Sequence, residues 1–138
     1  SKKLFDLVRR YQLNQRIKFI THCNEMPIAY SLSDIIVSSS IEPEAFGRIA
    51  VESQAMEKPI VASDIGGSKE TIVNGKSGFL YKSSDPRELA KVLNNVMELD
   101  EEALYSIGKE GRKNATRRFD VEQMCNTTFN EYKKLFKF

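Results

Sequence analysis

A chain of 138 residues with 41% hydrophobic and 29% charged residues has the make-up of one globular domain with apolar material enough for a core, which excludes a disordered segment. Its 21 basic and 19 acidic residues are spread along the chain, with only short basic clusters such as Arg117-Arg118 and Lys133-Lys134, so a net charge of +2 is weak support for nucleic acid. Cys23, Cys125 and the single histidine, His22, fit no metal-ligand, redox or Ser-His-Asp spacing, no apolar run approaches the roughly 18 residues of a membrane span, and SKKLFDLVRR lacks a signal-peptide core, so a cytosolic protein with free thiols and no metal is expected.

Leu4, Leu7, Val8 and Tyr11 recur at i, i+3, i+4 and i+7 and predict an amphipathic helix ending near Leu13-Asn14. Asn14-Gln15 leads into an apolar run, Ile17 to Thr21, that reads as a strand, with His22 in the turn after it. Pro27 suits an early helical position, and Ile28, Ala29 and Leu32 are available for burial beneath that second helix. Asp34 precedes another strand, Ile35 to Ser38, apolar and β-branched enough to be buried on both faces. The order helix, strand, helix, strand predicts a parallel sheet.

The chemistry is concentrated between Ser38 and Gly67, SSSIEPEAFGRIAVESQAMEKPIVASDIGG, which reads as loop, helix, buried strand Pro59 to Ala62, and glycine loop. In the helix, Ile49, Ala50, Val51, Ala55 and Met56 cluster at helical spacing, while Arg48, Glu52, Gln54, Glu57 and Lys58 do not. Seven residues separate Glu44 from Glu52, which is not a same-face spacing, so Glu44 belongs on the loop and Glu52 on the helix, one turn beyond Arg48. An anion held by the first backbone amides, near Gly47, Arg48 and Ile49, meets the positive end of the helix dipole, and Gly47 permits close backbone approach. Glu52 can then accept hydrogen bonds from hydroxyls of the same ligand, which suggests a phosphate flanked by two polyols. The plainer alternative is a solvated glutamate, an acid paired with a helix dipole, and a Phe-Gly turn that is only a turn.

Beyond the glycine loop Ser63-Asp64-Ile65-Gly66-Gly67, Ser68 can cap a short helix from Lys69 to Val73, stopped by Asn74-Gly75. Gly66-Gly67 either borders a ligand at the C-terminal end of a strand or merely allows a tight turn; no G-x-G-x-x-G fingerprint occurs. Gly78 to Tyr81 reads as a strand, and Asp85-Pro86-Arg87-Glu88 as an N-cap, a first-turn proline and a glutamate reaching back. The stripe Leu89, Val92, Leu93, Val96 and Met97 faces inward. A charged helix after Asp100 is interrupted by Gly108 and Gly111, and Asp120 caps a last helix with Met124, Phe129, Tyr132, Leu135 and Phe136 on or near one face. That aromatic face packs either on this domain's own sheet or elsewhere.

The stretch EAFGRIAVE, followed by Ala55-Met56, Lys58 to Ser63, Gly66-Gly67, Glu70 and Gly75…Gly78, resembles the donor-binding half of retaining glycosyltransferases of family four, enzymes with two Rossmann-like domains. The resemblance runs from about Phe5 to the C-terminus. It implies an α/β fold, a Rossmann-like parallel sheet with flanking helices, truncated at its N-terminal end. Residues 1–138 would form a single partial nucleotide-sugar-binding domain, with two strands, the cations that neutralise a diphosphate, and the whole acceptor domain outside it. Glu44, the catalytic-site residue, and the amides at Phe46 and Gly47 would contact hydroxyls of the donor sugar. The amides near Arg48 and Ile49 would face the diphosphate, Glu52 would hold ribose hydroxyls, Gly66-Gly67 would border the donor, and the backbone at Thr21 and His22 would lie near the base. The family usually has glycine where Thr21 stands. The implied function is transfer of a sugar from a nucleotide diphosphate sugar with retention, without a metal or cofactor, to a bacterial envelope glycoconjugate. The implied location is cytoplasmic, at the inner-membrane periphery being an option for the full-length enzyme. The alternative is a non-catalytic remnant or a nucleotide-sugar-binding module that needs a partner, and the isolated chain is expected to be inactive in either case. In the resembled strand order 3-2-1-4-5-6, loss of strands 1 and 2 predicts either that Ile17–Thr21 pairs directly with Ile35–Ser38 or that two chains form a homodimer through the vacated edge.

Overall fold

The computed structural model describes residues 2–136. In chain order it comprises α1 (Lys2–Arg10), α2 (Met26–Ser31), β1 (Ile36–Ser38), α3 (Arg48–Ala55), β2 (Ile60–Ser63), α4 (Gly67–Thr71), β3 (Phe79–Tyr81), α5 (Pro86–Met97), α6 (Glu101–Arg118) and α7 (Val121–Phe136). The strands form one parallel sheet in the order β1-β2-β3, with Ile36 opposite Ile60 and Ala62 opposite Leu80. Successive side chains of a strand point to opposite faces, so the fully buried β2 feeds two cores. Ile60 and Ala62 pack with Ala50 of α3 and Ile72 on one face; Val61 packs with Tyr81 and Val96 of α5 on the other. The result is the expected α/β, Rossmann-like layering of helices on both faces of a parallel sheet.

Helices α3 and α6 are joined by a seam of backbone and amide contacts. Gln54 is 0% exposed: its Nε2 donates to the Ala50 and Thr71 carbonyls, each at 3.0 Å, and its Oε1 accepts from Asn114 Nδ2 at 2.7 Å. Arg112 donates to the Ala55 carbonyl at 2.9 Å. Gly108 and Gly111 are not interruptions, because α6 runs unbroken through both. They are where it touches α3 and the turn that follows it: a Cβ at Gly108 would meet the carbonyl of Glu57, just past the helix, and one at Gly111 would stand 3.2 Å from the Gln54 side chain.

The expected strand Ile17–Thr21 does not form. A strand persists through its ladder, and this segment has none; instead the Phe19 ring lies 4.3 Å, centroid to centroid, from Phe5 of α1, and Ile20 is 80% exposed. Among the described residues β1 pairs with β2 alone, so the expected shift of that segment onto β1 is not seen, and β1 is not buried on both faces: Val37 is exposed. Helix α1 ends at Arg10 because Gln12 adopts a left-handed conformation (φ 54°) and the Leu13 amide folds back onto the Val8 carbonyl at 2.9 Å. Helix α4 begins two residues early, at Gly67, with Gly66 and not Ser68 at its cap.

Asp85 caps α5 as expected, accepting from the Arg87 and Glu88 amides at 3.1 Å, but Glu88 reaches the Lys82 amide, at 2.9 Å, and not the cap residue. Met97 lies off the buried stripe and is exposed. No residue of α7 is buried, so its aromatic face does not pack on this sheet. Cys23 and Cys125 are free and exposed. Among the described residues, no helix is long and apolar enough to cross a membrane.

Candidate functional site

At the C-terminal ends of β1 and β2 two loops cross with backbone against backbone. The Gly67 amide donates to the Glu44 carbonyl at 2.8 Å. A Cβ at Gly66 (φ 55°) would stand 2.5 Å from the Glu44 carbonyl oxygen and 2.8 Å from its nitrogen; one at Gly67 would stand 2.7 Å from Phe46 Cα. The glycine pair is therefore required for the crossing itself, beyond any turn. The crossing brings Glu44, Phe46, Gly47, Gly66 and Gly67 together. The Phe46 ring meets Phe119, in the α6–α7 joint, edge to face at 5.5 Å. Arg118 covers Phe119 from 4.9 Å and donates to the Glu70 carbonyl at 2.8 Å, tying the joint to α4.

Gly47, left-handed at φ 79°, is the N-cap of α3 and offers no side chain to it. The first intrahelical bond runs from the Val51 amide to the Gly47 carbonyl at 3.2 Å, which leaves the amides of Arg48, Ile49 and Ala50 as the open donors of the helix, with no acid in its first turn. Free first-turn amides and the positive end of the helix dipole are the general features that favour an anion at such a terminus. Ile49, expected among the buried residues of α3, is exposed here, and Gln54, expected outside them, takes the buried place.

One turn deeper, Glu52 is held on both sides. Its Oε1 accepts from Arg48 Nη2 at 2.8 Å and Nε at 3.1 Å, and its Oε2 accepts from the Tyr30 hydroxyl at 2.8 Å. Burial alone would raise the Glu52 pKa, but the hydrogen bonds from Arg48 and Tyr30 and the guanidinium charge outweigh it and hold the carboxyl below its ordinary value. Tyr30 is the residue that sequence reasoning missed. Its signal was a polar-tipped aromatic beside Ile28 and Ala29, since a buried tyrosine hydroxyl needs a partner.

Thr21 and His22 stand apart. Both are exposed, His22 Nε2 shares a 2.6 Å hydrogen bond with Asn24 Oδ1, and among the described residues no hydrogen bond or ion pair links either to the loop crossing or to Glu52. Their expected position depended on the strand Ile17–Thr21, which does not form. No cluster of three or more His, Cys, Asp or Glu side chains among the described residues could hold a metal ion.

The family model described as "Glycosyl transferases group 1" matches residues 1–114. The chain belongs to this family. Among relatives of this group 1 glycosyltransferase chain, the capsular polysaccharide biosynthesis glycosyltransferase CapM of Staphylococcus aureus is 28% identical over 125 residues, covering 86% of this chain and 32% of CapM. The crystal structure of a glycosyltransferase from Rickettsia africae superposes with a TM-score of 0.91 at 31% identity, over 99% of this chain and 36% of that one. Anabaena HepE, crystallised in complex with UDP and glucose, superposes with a TM-score of 0.85 at 32% identity, over 94% of this chain and 36% of HepE. The group 1 chain thus spans about a third of the length of these relatives.

Proposed function

We propose that this chain is the donor-binding portion of a retaining glycosyltransferase of family four, which moves a sugar from a nucleotide diphosphate sugar to a bacterial envelope glycoconjugate. The observation that carries the reading is the run of open amides at Arg48, Ile49 and Ala50 beneath a glycine-only loop crossing, with the Glu52 carboxylate one turn further in. The amides and the helix dipole stabilise the diphosphate as it leaves, a term that grows as negative charge develops. Glu52 accepts the ribose hydroxyls. Glu44 and the amides at Phe46 and Gly47 orient the sugar; Glu44 positions and is not assigned as a base. Gly66 and Gly67 set the loop on which that orientation depends; the place of the Thr21 and His22 backbone near the base rests on the resemblance alone, since the strand that would carry it does not form here. Retention rests on the resemblance of the Glu44…Glu52 motif, and the envelope acceptor is supported by the capsular role in CapM's name.

In this reading residues 1–138 are one partial domain, and the acceptor site and the diphosphate-neutralising cations come from elsewhere in the complete protein. The chain alone transfers no sugar. No metal or cofactor is called for, the setting is cytoplasmic or peripheral to the inner membrane, and the free edge of β1 is where two isolated chains would pair. A second reading is a module that binds nucleotide sugar only when a partner completes it. Transfer by the complete protein separates the two. The first test is calorimetric titration with UDP, GDP and ADP. Charge-assisted hydrogen bonds to a carboxylate contribute roughly 1.5 to 3 kcal/mol, so Glu52→Gln raises the Kd of the preferred nucleotide about tenfold or more. An unchanged Kd with the fold intact removes Glu52 from the site.

A further inference from the structure

The Tyr30 hydroxyl has no role in the donor reading above, yet it is a buried side chain's donor bonded directly to Glu52. Tyr30 is 4% exposed, and it crosses from α2 to Glu52 of α3. Burial first, and then the hydrogen bond to Glu52, push its pKa up to about 12, so the hydroxyl keeps its proton and remains a donor. The grip of Arg48 on the same carboxylate is of another kind. Its side chain is 80% exposed. An exposed guanidinium that lets go returns to water at little cost, whereas a buried hydroxyl that lets go is left without a partner.

Each carboxylate oxygen accepts about two hydrogen bonds. Arg48 fills Oε1 with two N–H groups, while Oε2 receives one bond from Tyr30. A vicinal diol that bridges the carboxylate needs a place on each oxygen. Only Arg48 stands in its way, and only Arg48 can leave cheaply. We infer that Tyr30 is a positioning residue for a ribose diol: it fixes the Glu52 carboxylate from behind while Arg48 holds the diol's place and is displaced on binding. The inference rests on the donor reading of Glu52 and adds to it the residue that orients the carboxylate and the one that yields.

The test compares UDP, GDP and ADP with their 2′-deoxy forms by calorimetry, using the complete protein and its Tyr30→Phe variant. Wild type is expected to prefer the ribo form of at least one nucleotide. Phenylalanine keeps the packing and loses only the hydroxyl, so Tyr30→Phe shrinks the ribo-to-deoxy preference at least about threefold, a ratio that a general loss of stability would leave alone. Arg48→Gln is expected to tighten binding of the phosphate-free nucleoside by up to about fivefold, the worth of an exposed ion pair. A wild-type ratio retained in Tyr30→Phe overturns the inference and leaves Glu52 as a ribose ligand. Absence of any ribo preference in wild type overturns both. Should Tyr30→Phe fold poorly, the wild-type protein decides by NMR: saturating nucleotide must release the Arg48 Nε–H from its carboxylate partner, and an Arg48–Glu52 pair that survives in the complex defeats the displacement.

Discussion

Replacing Gly67 by alanine tests the loop crossing directly. Gly67 lies outside the left-handed region, so alanine meets no backbone penalty there and the effect is steric alone. Its methyl would stand 2.5 Å from the Phe46 carbonyl oxygen and 2.7 Å from Phe46 Cα, where carbon atoms rest comfortably at about 3.5 to 4.0 Å, so the two loops must part by roughly 1 Å. That stretches the 2.8 Å bond from the Gly67 amide to the Glu44 carbonyl out of hydrogen-bonding range. Overpacking costs about 1–3 kcal/mol and the lost bond about 1 kcal/mol, so urea denaturation should show a midpoint lowered by the equivalent of about 2–4 kcal/mol with the m-value unchanged. In the proposed donor reading the displaced groups, Glu44 and Phe46, are the ones that orient the sugar, whereas Glu52 sits on α3. In the complete enzyme Gly67→Ala should therefore leave nucleoside diphosphate affinity within a few-fold and lower turnover about a hundredfold, the scale of a 1 Å misplacement. An unchanged midpoint refutes the steric argument. Equal losses of affinity and turnover refute the division of the site into sugar and nucleotide sides.

Phe46 and Phe119 should show a coupling of about 0.5–1.5 kcal/mol in a double-mutant cycle to alanine, read by denaturation; additivity within error means that the α6–α7 joint does not hold the loop. Because the Glu52 pKa is lowered on folding, its contribution to stability is fully present above the ordinary carboxylate value and is lost as pH falls through the lowered one. The stability gap between wild type and Glu52→Gln should thus close as pH is taken from about 7 to about 2, and a gap independent of pH speaks against the Arg48–Glu52–Tyr30 arrangement.

What the sequence made legible was what is local. The Asp85 cap, the Asp100 and Asp120 helix starts and the helix after Gly47 follow from neighbours a few residues away, and β1 and β2 fall within one residue of their expected limits. Local misses are small, such as the Gly66 cap of α4 and the Glu88 side chain that turns to Lys82; the large ones are non-local. Ile17–Thr21 has the composition of a strand, but a strand is a property of its neighbour as well, and its Phe19 found Phe5 instead. Gln54 reads as a solvated residue by periodicity; what buries it are a carbonyl 17 residues away and an asparagine 60 residues away. Gly66 and Gly67 could be recognised as a turn or as a ligand border, yet their role against Glu44 and Phe46 exists only once the loops cross. Glu52 was visible as an acid one turn along α3, and Tyr30 behind it was not, because the two are 22 positions apart in sequence.

The seam between α3 and α6 fixes an order of events during synthesis. Gln54 and the Thr71 carbonyl leave the ribosome well before Asn114, and closing a loop of about 60 residues costs roughly 3–4 kcal/mol of chain entropy before the amide pair forms. Until then the α3 flank of the sheet is uncovered, its polar groups still hydrated and the concave faces at Gly108 and Gly111 not yet delivered. By this argument the local β1-α3-β2 unit should assemble before α6 closes over it, and a nascent chain stalled after β3 should be the species with most reason to meet a chaperone.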